Sequence, residues 1–380
     1  MKKKFISFGK RSLAVALTGI LTISGLAVNP APKAEAATAD QNRVIASVKG
    51  MYQFDMTDVV VTDAYYDNSL QKEIAYLEKL DENRLLAGFK ETAAYAKGMT
   101  VAEREAFLNG ATRYGTEKNT GNWENSLIGG HTLGHYMSAI AQAVVNPGTK
   151  AEDKAKLQTK LDNIVDTLKL CQEYSKDSTA CKEGYVFGAT LKSTTNLEFQ
   201  FDNNEKGRTN IGSESWVPWY TMHKILAGLV EIYELTGDED ALLVAEGIGE
   251  WTYNRASQWN TATRKTVLSI EYGGMNDALY ELAKCTEDST KQEHFIAAAK
   301  IFDEDIAVGT SSKSLFQMVN DGDKNCLNNK HANTTVPKFL GALNRYVTLS
   351  ELGKLEESDK IYLEYAKSFW EMVVNKHSYI

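Results

Sequence analysis

The chain has 380 residues, of which 43% are hydrophobic and 24% charged, with a formal net charge of −8. That balance belongs to a folded globular chain long enough to bury a core, not to a disordered or fibrous one. Acidity without a clustered basic face argues against nucleic acid as a partner, and only five prolines leave room for long helices.

In chain order, the first element is a targeting segment. "MKKKFISFGKR" is a basic n-region, "SLAVALTGILTISGLAV" an apolar h-region, and "AEA" a small-x-small cleavage signal ending at Ala36. The alternative is a membrane anchor, since about seventeen apolar residues can just span a bilayer. The cleavage signature favours export and removal of residues 1–36, and the mature chain is then expected outside the cell with no membrane partner. Removing those residues takes away six Lys/Arg and one Glu, leaving a net charge of about −13. Such a chain suits a neutral ligand.

Residues 37–68 read as a linker followed by a short β segment, because "FDMTDVVVTDAYYDN" combines β-branched residues with a terminal turn. From Ser69 onward apolar residues recur at spacings of three and four, which predicts helices. Four helix–turn–helix units then follow, over 134–174, 223–255, 276–306 and 336–374. In each, the first helix is small and apolar and the second amphipathic, as for an inner ring of buried helices and an outer ring with one wet face. The expected fold is all-α over 69–380, an (α/α)6-toroid type of helical barrel, incomplete here because about nine helices are countable. A curved solenoid reads similarly. Cys171 and Cys181 flank a short loop that a disulfide would close in an oxidising compartment, while Cys285 and Cys326 read as buried thiols.

A polar, aromatic-rich segment precedes each inner helix: 121–135, 213–223, 271–277 and 328–337. They hold His131, His135, His223 and His331, and also Trp123, Trp216, Trp219, Tyr220 and Tyr272. Parallel inner helices gather their N-termini, with free N–H groups, at one mouth. Imidazoles, amides and indoles converging there suit a sugar, whose C–H faces pack on rings while its hydroxyls bond the polar groups. His131 and His135, four apart, also have the spacing of a metal pair on one helix face, but Thr-Leu-Gly between them supplies no general base and no third ligand is evident. A purely structural helix start is the third reading. Glu271, beside two glycines and Asn276, is either a solvated acid or, paired with Glu124, half of a two-carboxylate glycosidase site.

Six ordered segments, "DVVVTDAYYDN", "DENRLLAGFK", "GGHTLGHYMSA", "WVPWYTMHKILAGLVEIYELTGD", "EYGGMNDALYEL" and "HANTTVPKFLGALNRYV", resemble glycoside hydrolase family 127 and its relative family 146, from about Asp58 onward. The resemblance implies a secreted β-L-arabinofuranosidase acting on terminal β-L-arabinofuranosyl residues of plant-type glycans. It implies an (α/α)6 toroid with β-sandwich material, and a zinc-held cysteine nucleophile with a glutamate acid/base. Zinc is thus expected in the full-length family enzyme, but none of the four cysteines stands in a matching context, so no metal ligand or catalytic residue is transferred to this chain. The family's sugar-pocket positions correspond to His223, Glu271, Asn276 and His331, then His131 and His135, with Trp216 and Trp219 as a wall. A non-catalytic carbohydrate-binding α/α scaffold and a two-carboxylate toroid glycosidase remain as alternatives. Terminal sequencing of secreted material is expected to begin at Ala37; retention of Met1 would overturn the processing expectation.

Overall fold

The computed structural model describes residues 54–115, 123–307 and 311–378. The expected signal segment lies outside them, as does most of the 37–68 linker. Asp55 caps a single 3-10 turn, Met56–Asp58, and Asp63 caps helix α1 (Ala64–Lys79) by accepting from the N–H groups of Tyr65 and Tyr66. This corrects the β segment expected before residue 69: among the described residues there is no strand. Val59, Val60 and Val61 have β propensity but stay exposed with no neighbour to pair with, and propensity alone does not make a ladder.

The helical run after Ser69 breaks at Leu80, where Asp81 caps α2 (Glu82–Lys97). Thr100 and Glu103 form a reciprocal capping box at the start of α3 (Val101–Leu108). Four hairpins follow: α4 (His131–Val145) with α5 (Ala151–Glu173), and, after the short α6 (Phe199–Glu205), α7 (Pro218–Thr236) with α8 (Glu239–Ala256). Beyond the short α9 (Thr261–Ile270) come α10 (Met275–Cys285) with α11 (Ser289–Phe302) and, past α12 (Leu315–Asn320), α13 (Ala332–Glu351) with α14 (Ile361–Met372). The "TGDED" turn shows how sequence closes a hairpin. Gly237 adopts φ 72° to end α7, and the Asp238 side chain accepts from two N–H groups to begin α8.

The hairpins wind in two layers. α4 packs on α7, α7 on α10 and α10 on α13, while α5 packs on α8 and α8 on α11 outside them. This inner and outer succession is the α/α toroid arrangement expected from the alternation of apolar and amphipathic helices. The inner helices meet closely because they carry glycines at their crossings. A Cβ on Gly134 would strike the Lys224 backbone of α7, and one on Gly228 would lie 2.6 Å from the Gly134 carbonyl oxygen. Trp219 anchors the core between layers, with ring centroids 4.8 Å from Phe201, 5.6 Å from Trp251, 5.3 Å from Trp259 and 5.0 Å from Phe302.

Cys171 and Cys181 are separate buried thiols and form no bridge. Gly134→Ala is expected to push α4 off α7 and cost about 1–3 kcal/mol, the usual penalty of overpacking a fitted core. Urea unfolding measures it; an unchanged midpoint would contradict the close α4–α7 crossing.

Candidate active site

The inner helices all start at one end, and side-chain contacts tie their first turns together. The His131 ring at the start of α4 lies 5.9 Å, centroid to centroid, from Tyr220 in the first turn of α7. The Tyr220 hydroxyl accepts from Asn333 Nδ2 at the start of α13, 3.0 Å away. Gly274, the residue before α10, sits so close to the His223 ring that any side chain there would collide with it. A mouth built from four helix N-termini results.

Two buried carboxylates fix the helix starts of this mouth. Gly130 precedes α4 and has no side chain to cap it. Glu124, six residues upstream and only 3% exposed, accepts instead from the N–H of Gly130 at 2.7 Å and of Thr132 at 3.3 Å. Glu271, 5% exposed, does the same for α7: its Oε2 accepts from Tyr220 N–H at 2.8 Å and its Oε1 from Asn204 Nδ2 at 2.8 Å. Burial lifts the Glu271 pKa to about 8 against these donors, which favour the charged form.

The imidazoles are held in defined states. His131 Nδ1 lies 2.8 Å from the Ile128 carbonyl oxygen, which can only accept, so Nδ1 carries the proton. The Glu124 Oε1, 3.4 Å from the same nitrogen, supports that tautomer. His223 is buried, its Nδ1 has no partner, and burial followed by the nearby Lys224 ammonium holds its ring neutral. His135, one turn beyond His131 with ring centroids 6.5 Å apart, stands exposed at the rim. His331 is the exposed residue preceding α13, and its carbonyl accepts from Thr335 N–H and Oγ1, each at 2.9 Å. Trp216 is half-buried, its N–H donating to Gln200 Oε1 at 3.3 Å.

Two of the expected contacts turn inward. Trp219 is 1% exposed within the aromatic core, and cannot wall a pocket. Asn276 is fully buried, its Oδ1 accepting from Gly274 N–H at 3.0 Å and its Nδ2 donating to Asp303 Oδ1 at 3.0 Å and the Lys338 carbonyl at 3.1 Å. It ties α10 to α13 and has no polar group left for a ligand. Sequence reasoning passed over Asn204, Asn333 and Lys224. Asn333 sits in the segment ahead of α13 and was open to notice there, but Asn204 lies 67 positions from Glu271 with no local signal.

The donor set for a zinc-thiolate is not assembled. Among the described residues no three His, Cys, Asp or Glu side chains gather as a metal site. Burial raises the thiol pKa of Cys171 to about 12 and of Cys181 to about 11, both packed in the main core. Cys326, raised to about 11, packs with Phe316 and Tyr362. Cys285 ends α10, at the far end from the mouth, its Sγ 3.8 Å from Glu234. A separate cavity of about 740 Å³ surrounds Arg255 outside the mouth. There each guanidinium nitrogen bonds one carboxylate, Glu198, Asp202 or Glu205, at 2.5–2.6 Å.

Residues 58–380 match a family model described as the β-L-arabinofuranosidase, GH127 catalytic domain, and the chain belongs to that family. No curated protein matches it. No helix among the described residues is long and apolar enough to cross a membrane.

Glu271 should make stability pH-dependent. Its pKa rises from about 4.5 unfolded to about 8 folded, so between those values the folded state keeps a proton that the unfolded state has lost, and stability falls as pH rises. The slope approaches about 1.4 kcal/mol per pH unit within the window. Glu271→Gln, which cannot ionise and loses one acceptor, should start less stable at pH 5 but decline less towards pH 8. Equal slopes for wild type and variant in thermal or urea unfolding would show that Glu271 does not titrate there.

Proposed function

We propose that this chain is a secreted glycoside hydrolase family member whose mouth binds a terminal β-L-arabinofuranosyl residue of plant-type glycans. The observation that carries the reading is the His131 tautomer. A proton fixed on Nδ1 by the Ile128 carbonyl turns Nε2 toward a ligand as an acceptor, and a sugar hydroxyl is the donor that fits it. His223, buried and neutral, backs the same first turns, with His135, Trp216 and His331 more exposed beside them. Tyr220, beside His131, gives the sugar ring an apolar surface. A small sugar is oriented by a few such convergent polar groups in an otherwise apolar site.

The roles of Glu124 and Glu271 favour binding over carboxylate catalysis. Each already accepts backbone N–H bonds that its helix start needs, so proton transfer to a ligand would have to break the mouth's own support. A two-carboxylate glycosidase needs one acid and one base or nucleophile facing the scissile bond. The four cysteines do not supply a nucleophile either, since three are buried and hard to ionise and the fourth ends α10 away from the mouth. Zinc therefore has no role assigned to residues of this chain.

Residues 37–380 are accordingly expected to bind methyl β-L-arabinofuranoside in calorimetry without releasing L-arabinose above a buffer blank. His131→Ala should weaken binding at least ~10-fold, the scale of one good hydrogen bond to a buried group. Hydrolysis by this chain, abolished by Glu124→Gln or Glu271→Gln, would establish the carboxylate mechanism instead, and absence of any sugar binding would overturn the sugar reading.

A further inference from the structure

Trp123 is out of keeping with the residues around it. Its side chain is 54% exposed, while the residue next to it, Glu124, is 3% exposed. An indole left in water forgoes a large burial gain, so its position calls for a reason. It is not there through slack in the backbone. Trp123 opens a 3-10 turn, Trp123–Asn125, and its carbonyl accepts from Ser126 Oγ at 2.6 Å. On its other side, Glu124 is fixed by the N–H groups of Gly130 and Thr132. Because Glu124 must point inward to cap α4, the turn directs Trp123 outward.

The outward indole lies beside the same imidazole that serves the mouth. Its ring centroid is 5.7 Å from that of His131, at an interplanar angle of 46°. Tyr220 also borders His131, with ring centroids 5.9 Å apart, and is half-buried. His131 therefore neighbours both a half-buried aromatic ring and an exposed one. A ligand hydroxyl bonded to His131 Nε2 would place one sugar unit against Tyr220 and leave the next within reach of the indole.

We infer that Trp123 forms an outer subsite, stacking on the C–H face of the sugar unit adjoining the one bonded by His131. The inference rests on the sugar reading of the mouth and adds its direction: the chain of the glycan leaves over Trp123. The ligand class is an oligosaccharide of at least two units, since Trp123, His131 and Tyr220 offer rings and a ring nitrogen; the Lys224 ammonium, 5.2 Å over the Tyr220 ring, can donate to a hydroxyl. The buried Glu124 cap is a positioning residue for this subsite, acting through the backbone of the turn.

The experiment compares methyl β-L-arabinofuranoside with a β-linked L-arabinofuranosyl disaccharide on the wild-type chain, Trp123→Ala and Trp123→Phe, by calorimetry and by indole fluorescence. Trp123→Ala is expected to weaken the disaccharide ~10-fold, the scale of one aromatic contact, and to leave the monosaccharide within about twofold. Trp123→Phe should recover most of the loss, and the disaccharide-induced fluorescence change should vanish in both variants. Equal weakening of both ligands would show that Trp123 acts only by holding His131, and unchanged disaccharide affinity would show that it is no subsite; either overturns the inference while the sugar reading stands. Failure of the wild type to bind either ligand would overturn both. Because Trp123 is exposed, its variants should melt like the wild type, which separates a lost contact from a lost fold.

Discussion

Four inner helices that begin at one mouth create a polar problem before they create a site. Each start presents N–H groups with no partner within its own helix, and here several such starts crowd together. Side chains supply the acceptors. Glu124 reaches α4 from six residues upstream, and Glu271 reaches α7 from the segment just ahead of its neighbour α10. At α10, Asn276 accepts from the Gly274 N–H while donating to Asp303 and to the Lys338 carbonyl. The starts of α4 and α7 are thus supported by side chains that come from outside their own first turns.

This arrangement decides what the carboxylates can do. A buried acid beside glycines looks like a catalytic group, and the raised pKa of Glu271 strengthens that impression. Structural caps perturb pKa values as well, and here both oxygens of Glu271 already have donors. The imidazoles differ. His131 spends Nδ1 on a backbone carbonyl, which aims its other nitrogen, and His223 is left with an orphaned Nδ1 in a dry setting. Unlike the carboxylates, each imidazole thus has a ring nitrogen not committed to holding a helix start.

Much of the architecture is legible in the sequence because it depends on local rules. The hairpins follow from apolar spacing and from turn chemistry such as Gly237 followed by Asp238, and the gathering of helix starts follows from the hairpins. The segment 54–68 misled because Val59, Val60 and Val61 express β propensity without a partner strand to satisfy it. The site divides along the same line. That His131 and His223 belong to the mouth could be read from their place at inner-helix starts. That Trp219 and Asn276 face away from it could not, because the phase of a helix about the barrel axis is set by what packs on its other side. For Trp219 that is Phe201, Trp251, Trp259 and Phe302, contributed by three separate helices and a connecting loop.

The least legible part is the support of Glu271, and it extends to the surface. α6 carries Glu198, Asp202 and Glu205 at spacings of four and three, so all three meet Arg255 at the end of α8. The other side of the same short helix presents Asn204 to Glu271. A helix of seven residues has little stability of its own, so its orientation must come from its contacts. The Arg255 cluster is partly exposed and contributes little as a sum of ion pairs. Its geometry matters more: a planar guanidinium with donors on three sides fixes the rotation of α6 about its axis. That rotation sets where Asn204 lies, Asn204 helps place the Glu271 carboxylate, and Glu271 holds the first turn of α7 on which Tyr220 and His223 stand. An ion cluster outside the mouth thus belongs to the mouth's construction, although it touches none of the rings that face a ligand.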